Sequence, residues 1–231
     1  MTKKQRALAI VQRLIEIYPM SECSLEYDEA YRLLIAVRLA AQCTDARVNT
    51  VTPILFQKFP TLQSLADATV DQVAEIVHPC GLYRSKAKDI VACCKMLVEQ
   101  YDGKVPDTLE ELLKLPGVGR KTANLIVGDV YGKPAVVTDT HCIRLCGRFG
   151  LTDSKVPVKV EMDLWKLLPP EESNDFCHRL VYFGRDRCTA RSPQCEGCPL
   201  ADLCKKVGVT APKKAAGKKS TAKKTAAAVG R

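Results

Sequence analysis

The chain has 231 residues, of which 46% are hydrophobic, with 35 Lys and Arg against 26 Asp and Glu. A chain of this length and composition can bury a self-sufficient core, which excludes disorder of the whole chain. All nine excess positive charges lie in residues 205–231, while residues 1–204 hold 26 charges of each sign. Any contact between this neutral body and nucleic acid must therefore come from a local patch.

The start of the chain lacks the apolar region of a secretion signal, because Gln12, Arg13 and Glu16 interrupt residues 7–18. No apolar run approaches the roughly 20 residues that a membrane span needs. We therefore expect a soluble intracellular protein, in the cytoplasm or nucleoid if it is bacterial. In a reducing compartment the twelve cysteines are expected to be buried small hydrophobes or metal ligands rather than disulfides.

Helical periodicity dominates the chain, and Pro or Gly residues separate its apolar stripes. Asp28 is a good N-cap residue before the second stripe, and Thr69 with Gln72 and Thr108 with Glu111 form capping boxes that each open a short helix. Further helices are expected at about 2–18, 29–41, 46–58, 85–101, 120–130, 141–149, 157–168 and 174–184.

Residues 135–138 form the one strand-like run, and four residues after a proline are too few to build a sheet. No internal repeat suggests a solenoid. We therefore predict an all-α protein of about ten short helices.

A turn with two glycines lies between two of the predicted helices. It reads Pro116-Gly117-Val118-Gly119, and the next helix begins near Arg120. Glycines let backbone N–H groups approach a phosphate closely, and the start of a helix adds its positive dipole end. The pattern is typical of a helix-hairpin-helix, which grips a nucleic-acid backbone independently of sequence. An ordinary helical turn with glycine as a breaker is the alternative.

Lys121 lies in the first turn of that helix, where the positive dipole end favours a neutral, nucleophilic amine, and a nearby Arg120 would act in the same direction. An amine that attacks a sugar C1′ needs a carboxylate to stabilise the positive charge that develops as the base departs. Asp139, at the start of the following helix, can supply it. Asp139 could equally be a simple N-cap, and Lys121 an ordinary surface charge.

Four cysteines within seventeen residues follow the last predicted helix, with the spacing Cys188-x6-Cys195-x2-Cys198-x5-Cys204. Structural zinc usually has two separated knuckles, whereas one knuckle with two wider gaps suits four thiolates around an iron-sulfur cluster. Zinc and unligated thiols remain the alternatives. The other cysteines are interpreted as core filler, among them Cys43, Cys93, Cys94, Cys142, Cys146 and Cys177.

The turn, the lysine-aspartate pair and the cysteine spacing, in this order, resemble the endonuclease III family of helix-hairpin-helix DNA glycosylases. The resemblance covers about residues 3–206. It implies two α-helical lobes: residues 23–133 with the hairpin at about 108–130, and residues 1–22 plus 134–206 with a C-terminal [4Fe-4S] cluster loop. A cleft for DNA would run between the two lobes.

The resemblance makes Lys121 the expected Schiff-base nucleophile and Asp139 the expected catalytic carboxylate. Gln42 and Leu82 match side chains that the family inserts into the duplex where the damaged nucleotide leaves. The implied cluster ligands are Cys188, Cys195, Cys198 and Cys204. The remaining expected DNA contacts are Gly117, Val118, Gly119, Arg120, His141 and Arg191.

The implied activity is removal of oxidised pyrimidines in base excision repair, followed by cleavage 3′ to the abasic site through β-elimination. The implied partner is double-stranded DNA with damaged bases or abasic sites, bound by a monomer. One alternative is a monofunctional mismatch glycosylase, although that branch lacks the lysine and carries a further C-terminal domain. Another is a DNA-binding module without enzymatic activity.

Residues 207–231 are rich in Lys and Ala, and such a segment cannot bury enough apolar surface to offset its ordering entropy. We therefore expect a disordered tail. It is either a solubilising or incidental extension or an electrostatic tether for DNA.

Overall fold

The computed structural model describes residues 1–209, so most of the predicted tail, residues 210–231, lies outside the described residues. Residues 1–209 form eleven α-helices and two short 3₁₀ helices without any strand, so the predicted all-α class is confirmed. The α-helices are α1 (Lys3–Ile17), α2 (Ala30–Ala40), α3 (Asp45–Lys58), α4 (Leu62–Ala66), α5 (Val70–Val77), α6 (Tyr83–Gln100), α7 (Leu109–Leu112), α8 (Arg120–Asp129), α9 (Thr140–Phe149), α10 (Pro157–Trp165) and α11 (Ser173–Asp186). The 3₁₀ helices are His78–Cys80 and Pro170–Glu172.

Local capping explains several helix starts and corrects others. The capping box of Thr69 and Gln72 opens α5 as predicted. Thr108 caps α7, but the Glu111 carboxylate binds the Tyr101 hydroxyl instead of completing a box. The prediction that Asp28 caps α2 was wrong, because Asp28 forms an i,i+4 ion pair with an arginine in the first turn of that helix.

The five-residue helix α4 was not predicted. Thr61 and Ser64 form its capping box, with serine in the place where Glu or Gln gives the usual signature. A helix this short has little periodicity of its own, since it spans fewer than two turns. The pair of hydroxyl residues was the one available signal.

The helices pack in two groups that meet at α8. The first group includes α4 and α5 on α6, with α2 against α3, α6 and α8. The second includes α1 and α9, which both pack on α11. Because α8 contacts both α2 and α11, it lies where the groups join. This arrangement favours the predicted lobes, and their limits at 23–133 and at 1–22 plus 134–206 stay a prediction.

Close approach of α8 and α11 depends on Gly128. A Cβ atom at this position would lie 2.2 Å from Oδ1 of Asn174 on α11, so no larger residue fits without displacing that side chain. After α8 each residue of the strand-like run Ala135–Val137 is buried in the core. The packing therefore fixes where Asp139 emerges relative to α8.

None of the helices in residues 1–209 is both long enough and apolar enough to cross a membrane.

Candidate active site and cluster loop

The glycine turn between α7 and α8 has the geometry of a phosphate-binding site. Gly117 has φ of +74°, and a Cβ atom there would lie 2.7 Å from Cβ of Asp89, so both the backbone conformation and the space require glycine. Gly119 is the N-cap of α8 and provides no side-chain cap. The N–H groups of the first helical turn are therefore available to an anion, and both glycines are exposed. Val118 packs partly against the core.

Arg120 forms an ion pair within the protein that its position in the sequence did not indicate. Its guanidinium donates two hydrogen bonds to the Glu161 carboxylate of α10, at 2.6 Å from Nε and 2.7 Å from Nη2. The Glu161 side chain is only 1% exposed, so this bidentate pair neutralises a buried charge. The pair raises the pKa of Arg120 further. The Arg120 side chain therefore anchors α8 to α10, and its contact with DNA stays a prediction.

Arg120→Ala is expected to destabilise the protein by about 3 kcal/mol, because it leaves the buried Glu161 carboxylate without its partner. Urea unfolding of the purified protein measures the change. Arg120→Met combined with Glu161→Leu is the matched control, and this double variant should recover most of the loss because no charge remains buried. A single variant that unfolds at the wild-type urea concentration would contradict the anchoring role.

Lys121 and Asp139 line the same cleft. Lys121 is exposed in the first turn of α8, and Asp139 is the half-buried N-cap of α9. The Asp139 carboxylate accepts a hydrogen bond from the backbone N–H of Cys142 through Oδ1, at 2.7 Å. Asp139 is therefore an N-cap, as the alternative interpretation held, and this same bond fixes the direction in which its carboxylate faces the cleft.

Asp45 also lines the cleft, and its hydrogen bonds to Ser24 and Arg185 were not predicted from the sequence. Asp45 Oδ2 accepts hydrogen bonds from Ser24 Oγ at 2.5 Å and from Arg185 Nη2 at 2.7 Å. Burial alone would raise the pKa of the Asp45 carboxyl, but the bonds from Ser24 and Arg185, together with the charge of Lys121, lower it. The group joins the start of α3 to α11 across the cleft, and only folding brings three such distant residues together.

His141 also lines the cleft and lies two residues after Asp139 in sequence. Its Nδ1 atom lies 3.1 Å from Nη2 of Arg144. Burial lowers the pKa of His141, and the negative charge of Asp139 raises it. The positive charges of Arg144, Arg185 and Lys121 lower it further, so the pKa lies below its ordinary value. Its surroundings therefore disfavour the charged form of the imidazole.

Gln42 and Leu82 both occupy strained backbone positions at the surface. Gln42 has φ of 57° in the turn between α2 and α3, and Leu82 has φ of 46° as the N-cap of α6. Leu82 is 61% exposed, so it is not the buried loop residue that its sequence would suggest in isolation. Left-handed backbone at residues other than glycine costs free energy and is concentrated at functional sites. Cys43, interpreted as core filler, is instead half-buried in the Gln42 turn.

The four C-terminal cysteines line one small cavity together with Phe149 and Phe183. Arg148 donates a hydrogen bond to Cys188 Sγ at 3.1 Å, and the backbone N–H of Lys206 donates to Cys204 Sγ at 3.3 Å. Hydrogen-bond donors to the cysteine sulfurs, together with the apolar wall formed by Phe149 and Phe183, suit an anionic iron-sulfur cluster.

Arg148 and Arg144 also shape the loop that leads out of the first cysteine. Arg148 donates to the carbonyl oxygens of Thr189 and Ala190 at 2.8 and 2.9 Å, and Arg144 donates to that of Cys188 at 3.3 Å. Arg191 follows these residues and is exposed. Two arginines of α9 therefore hold the cysteine loop against the helix that Asp139 caps.

The fold and these sites define a DNA repair enzyme of the helix-hairpin-helix class with an iron-sulfur domain. Residues 35–170 match the HhH-GPD superfamily of base excision DNA repair proteins, and residues 188–204 match the iron-sulfur binding domain of endonuclease III. The chain belongs to the endonuclease III family. It is therefore a DNA-binding, bifunctional DNA glycosylase and lyase of base excision repair, and it carries a [4Fe-4S] cluster.

Individual relatives agree with this assignment. Endonuclease III of Synechocystis sp. is 47% identical over 204 residues, which is 88% of this chain and 93% of the relative. A non-covalent endonuclease III–DNA complex superimposes with a TM-score of 0.84 at 42% identity, over 89% of this chain and 97% of that one. A trapped endonuclease III–DNA covalent intermediate matches with the same scores.

Proposed function

We propose that this enzyme removes oxidised pyrimidines from double-stranded DNA, with Lys121 as nucleophile and Asp139 as the stabilising carboxylate. The observation that carries the proposal is that both side chains line one cleft, at the starts of two successive helices. The anion-binding first turn of α8 adjoins that cleft, so a bound phosphate would lie beside the lysine. One chain supplies both residues, which supports action as a monomer.

The chemistry follows from these positions. The Lys121 amine donates its electron pair to C1′, and the glycosidic bond breaks with its electron pair leaving on the base. Asp139 stabilises the positive charge on the sugar during this step. Loss of a proton from nitrogen and opening of the sugar give an imine, which acidifies the C2′ proton. Removal of that proton expels the 3′ phosphate by β-elimination, and water then hydrolyses the imine and restores the amine.

The cluster loop is proposed to bind its cofactor through Cys188, Cys195, Cys198 and Cys204. When bound, the cluster supplies four metal-sulfur bonds that cross-link the loop. Arg148 stabilises the negative charge near Cys188 and holds the backbone of the loop against α9. The exposed Arg191 is thereby presented at the surface, where it can contact a phosphate.

Cys198→Ala is expected to abolish the brown colour and the broad absorbance at about 400 nm, and to make residues 188–204 sensitive to protease. Cys94→Ala removes a fully buried thiol of α6 and is the control, which should keep both the colour and the protease resistance. Purified Cys198→Ala with a full complement of iron would show that this cysteine is not a ligand.

Gln42 and Leu82 are proposed to fill the gap that the extruded nucleotide leaves in the duplex. Their exposure at strained turns supports this role, because an exposed leucine can replace the lost stacking and an amide can bond to the unpaired base. This insertion should speed base release only where a duplex must be opened. It should be absent for a lesion in single-stranded DNA.

A panel of duplexes with defined lesions tests the proposed substrate class, and it should show cleavage at oxidised pyrimidines in preference to alkylated bases.

Leu82→Ala is expected to slow base release from duplex DNA by about tenfold and to leave release from a single strand unchanged, because unstacking costs a few kcal/mol only in the duplex. Leu8→Ala, at another exposed leucine on α1, is the matched control. An equal loss of base release from duplex and single-stranded DNA would contradict insertion of Leu82 into the duplex.

A further inference from the structure

A buried lysine connects the two segments that carry Gln42 and Leu82. The side chain of Lys86, on α6, is fully buried. Its ammonium donates hydrogen bonds to the carbonyl oxygen of Leu39 at 2.8 Å and to that of Cys80 at 2.7 Å. Leu39 precedes Gln42 by three residues, and Cys80 precedes Leu82 by two. One nitrogen atom therefore bonds to the backbone just before each of the two exposed residues.

Both carbonyl groups lie at the ends of helices, where the backbone needs partners from outside the helix. Leu39 lies in the last turn of α2, and Cys80 is the last residue of the 3₁₀ helix that precedes α6. The last carbonyl groups of a helix have no partner within it, and a cation near the end of an α-helix interacts favourably with its dipole. The Lys86 ammonium therefore supplies one hydrogen bond at each of these helix ends.

Burial of this ammonium is costly, because both of its partners are neutral groups. Neither carbonyl carries a negative charge that would offset the loss of hydration. Burial accordingly lowers the pKa of Lys86. An apolar side chain of similar length would fill the same space without this cost. Core packing alone therefore does not explain a lysine at this position.

The spacing between the two segments has to be set by tertiary contacts, because 39 residues of chain lie between Gln42 and Leu82. Extrusion of one nucleotide leaves a gap of one base step, about 3.4 Å along the strand, and both side chains would enter that gap. Misplacement by about 1 Å can slow a reaction about a hundredfold. Both residues also have positive φ, and such conformations persist only where the surrounding structure holds them.

We propose that Lys86 is a positioning residue for base extrusion, which holds the Gln42 and Leu82 turns at the spacing that lets both side chains enter one gap in the duplex. This role rests on the proposed insertion of Gln42 and Leu82. Because Lys86 is fully buried, it acts through these two residues and not by contact with DNA. Its backbone N–H donates to the Leu82 carbonyl oxygen at 3.1 Å, and a side-chain variant leaves that bond in place.

Lys86→Met tests the proposal, because methionine keeps a flexible side chain of similar size and removes the ammonium. Lys95→Met, at an exposed lysine of the same helix, is the matched control. The assay measures base release in a single turnover, with the cluster-loaded enzyme in excess over DNA. One oxidised pyrimidine is placed in a duplex and, separately, in a single strand. Urea unfolding of each variant shows whether it is folded under the assay conditions.

Lys86→Met is expected to slow base release from the duplex by about tenfold or more and from the single strand by less than about twofold, because only the duplex has a gap to fill. Lys95→Met should release the base from both substrates at the wild-type rate. Lys86→Gln keeps an amide with two N–H donors. Its ratio of duplex to single-strand rates should therefore lie between those of wild type and Lys86→Met.

The same measurement on an enzyme without the inserting side chains separates positioning from general destabilisation. When Lys86→Met is added to the Gln42→Ala, Leu82→Ala double variant, release from the duplex should slow by less than about twofold, because no inserting side chain is left to position.

Equal slowing on the duplex and the single strand would give Lys86 a structural role alone and would overturn the proposal. Full slowing by Lys86→Met in the double-variant background would overturn it too, as would wild-type rates in Lys86→Met or failure of both Lys86 variants to fold. Unchanged duplex release by the Gln42→Ala, Leu82→Ala variant would reject insertion, and this proposal with it. Failure of the proposed substrate class is separate, because the wild-type enzyme itself would then release no oxidised pyrimidine.

Discussion

Lys121→Ala is expected to lose covalent trapping on abasic DNA entirely and to slow strand cleavage by about a thousandfold or more, because the amine that forms the imine is gone. Borohydride reduction of a mixture of enzyme and abasic duplex gives the measurement, since a wild-type imine is converted to a stable adduct that runs as a larger band. Lys121 is exposed. Its replacement should therefore change the free energy of unfolding by no more than about 0.5 kcal/mol.

The control for this experiment is Lys159→Ala, at an exposed lysine on α10. It should trap and cleave as wild type does, and DNA binding by both variants should be retained because the amides of the α8 turn are untouched. An undiminished adduct in Lys121→Ala would assign the nucleophile to another amine. Binding without any cleavage by wild-type protein would instead support the DNA-binding module.

How far the sequence predicted this site depends on how local each feature is. Lys121 and the turn before it were predicted because a helix start, its glycines and its dipole are all properties of a few adjacent residues. Asp139 was predicted for the same reason, because it lies at the N-cap position of α9. The cysteine spacing is local as well. Each of these assignments depends on a short peptide whose conformation is set mainly within itself.

The features that were missed or misjudged depend on contacts between distant segments. The ion pair of Arg120 was missed because nothing near Arg120 in sequence indicates the buried Glu161 carboxylate on α10. The bonds from Ser24 and Arg185 to Asp45 join three separate segments. A tertiary contact of this kind leaves no periodic or spacing signal in a single sequence.

The strained backbone of Gln42 and Leu82 could not be predicted from the sequence either. Gln42 and Leu82 are not residues that favour positive φ, so sequence alone gives no reason to place them in the left-handed region. Only the family resemblance selected them. The fully buried Lys86 donates hydrogen bonds to the carbonyl oxygens of Leu39 and Cys80, which precede Gln42 by three residues and Leu82 by two, so a tertiary contact links the two segments.

Asp139→Asn separates the two roles of this residue, because asparagine is as good an N-cap as aspartate but carries no charge. Base release is expected to slow by about a hundredfold to a thousandfold, as for loss of one group that stabilises charge in a transition state. The free energy of unfolding should stay within about 0.5 kcal/mol of wild type. Asp139→Ala should lose the same activity and also about 1 kcal/mol of stability, because the bond to the Cys142 N–H disappears.

A substrate that already lacks its base sharpens this test. The carboxylate is needed chiefly while the base departs, so Asp139→Asn should still form a borohydride-trapped adduct with a preformed abasic site, whereas Lys121→Ala should not. Measuring base release and trapping on matched duplexes gives each variant a distinct pair of results. If Asp139→Asn released bases at the wild-type rate and Asp139→Ala lost only stability, the residue would be an N-cap alone, and the stabilising charge would have to come from another cleft carboxylate such as Asp45.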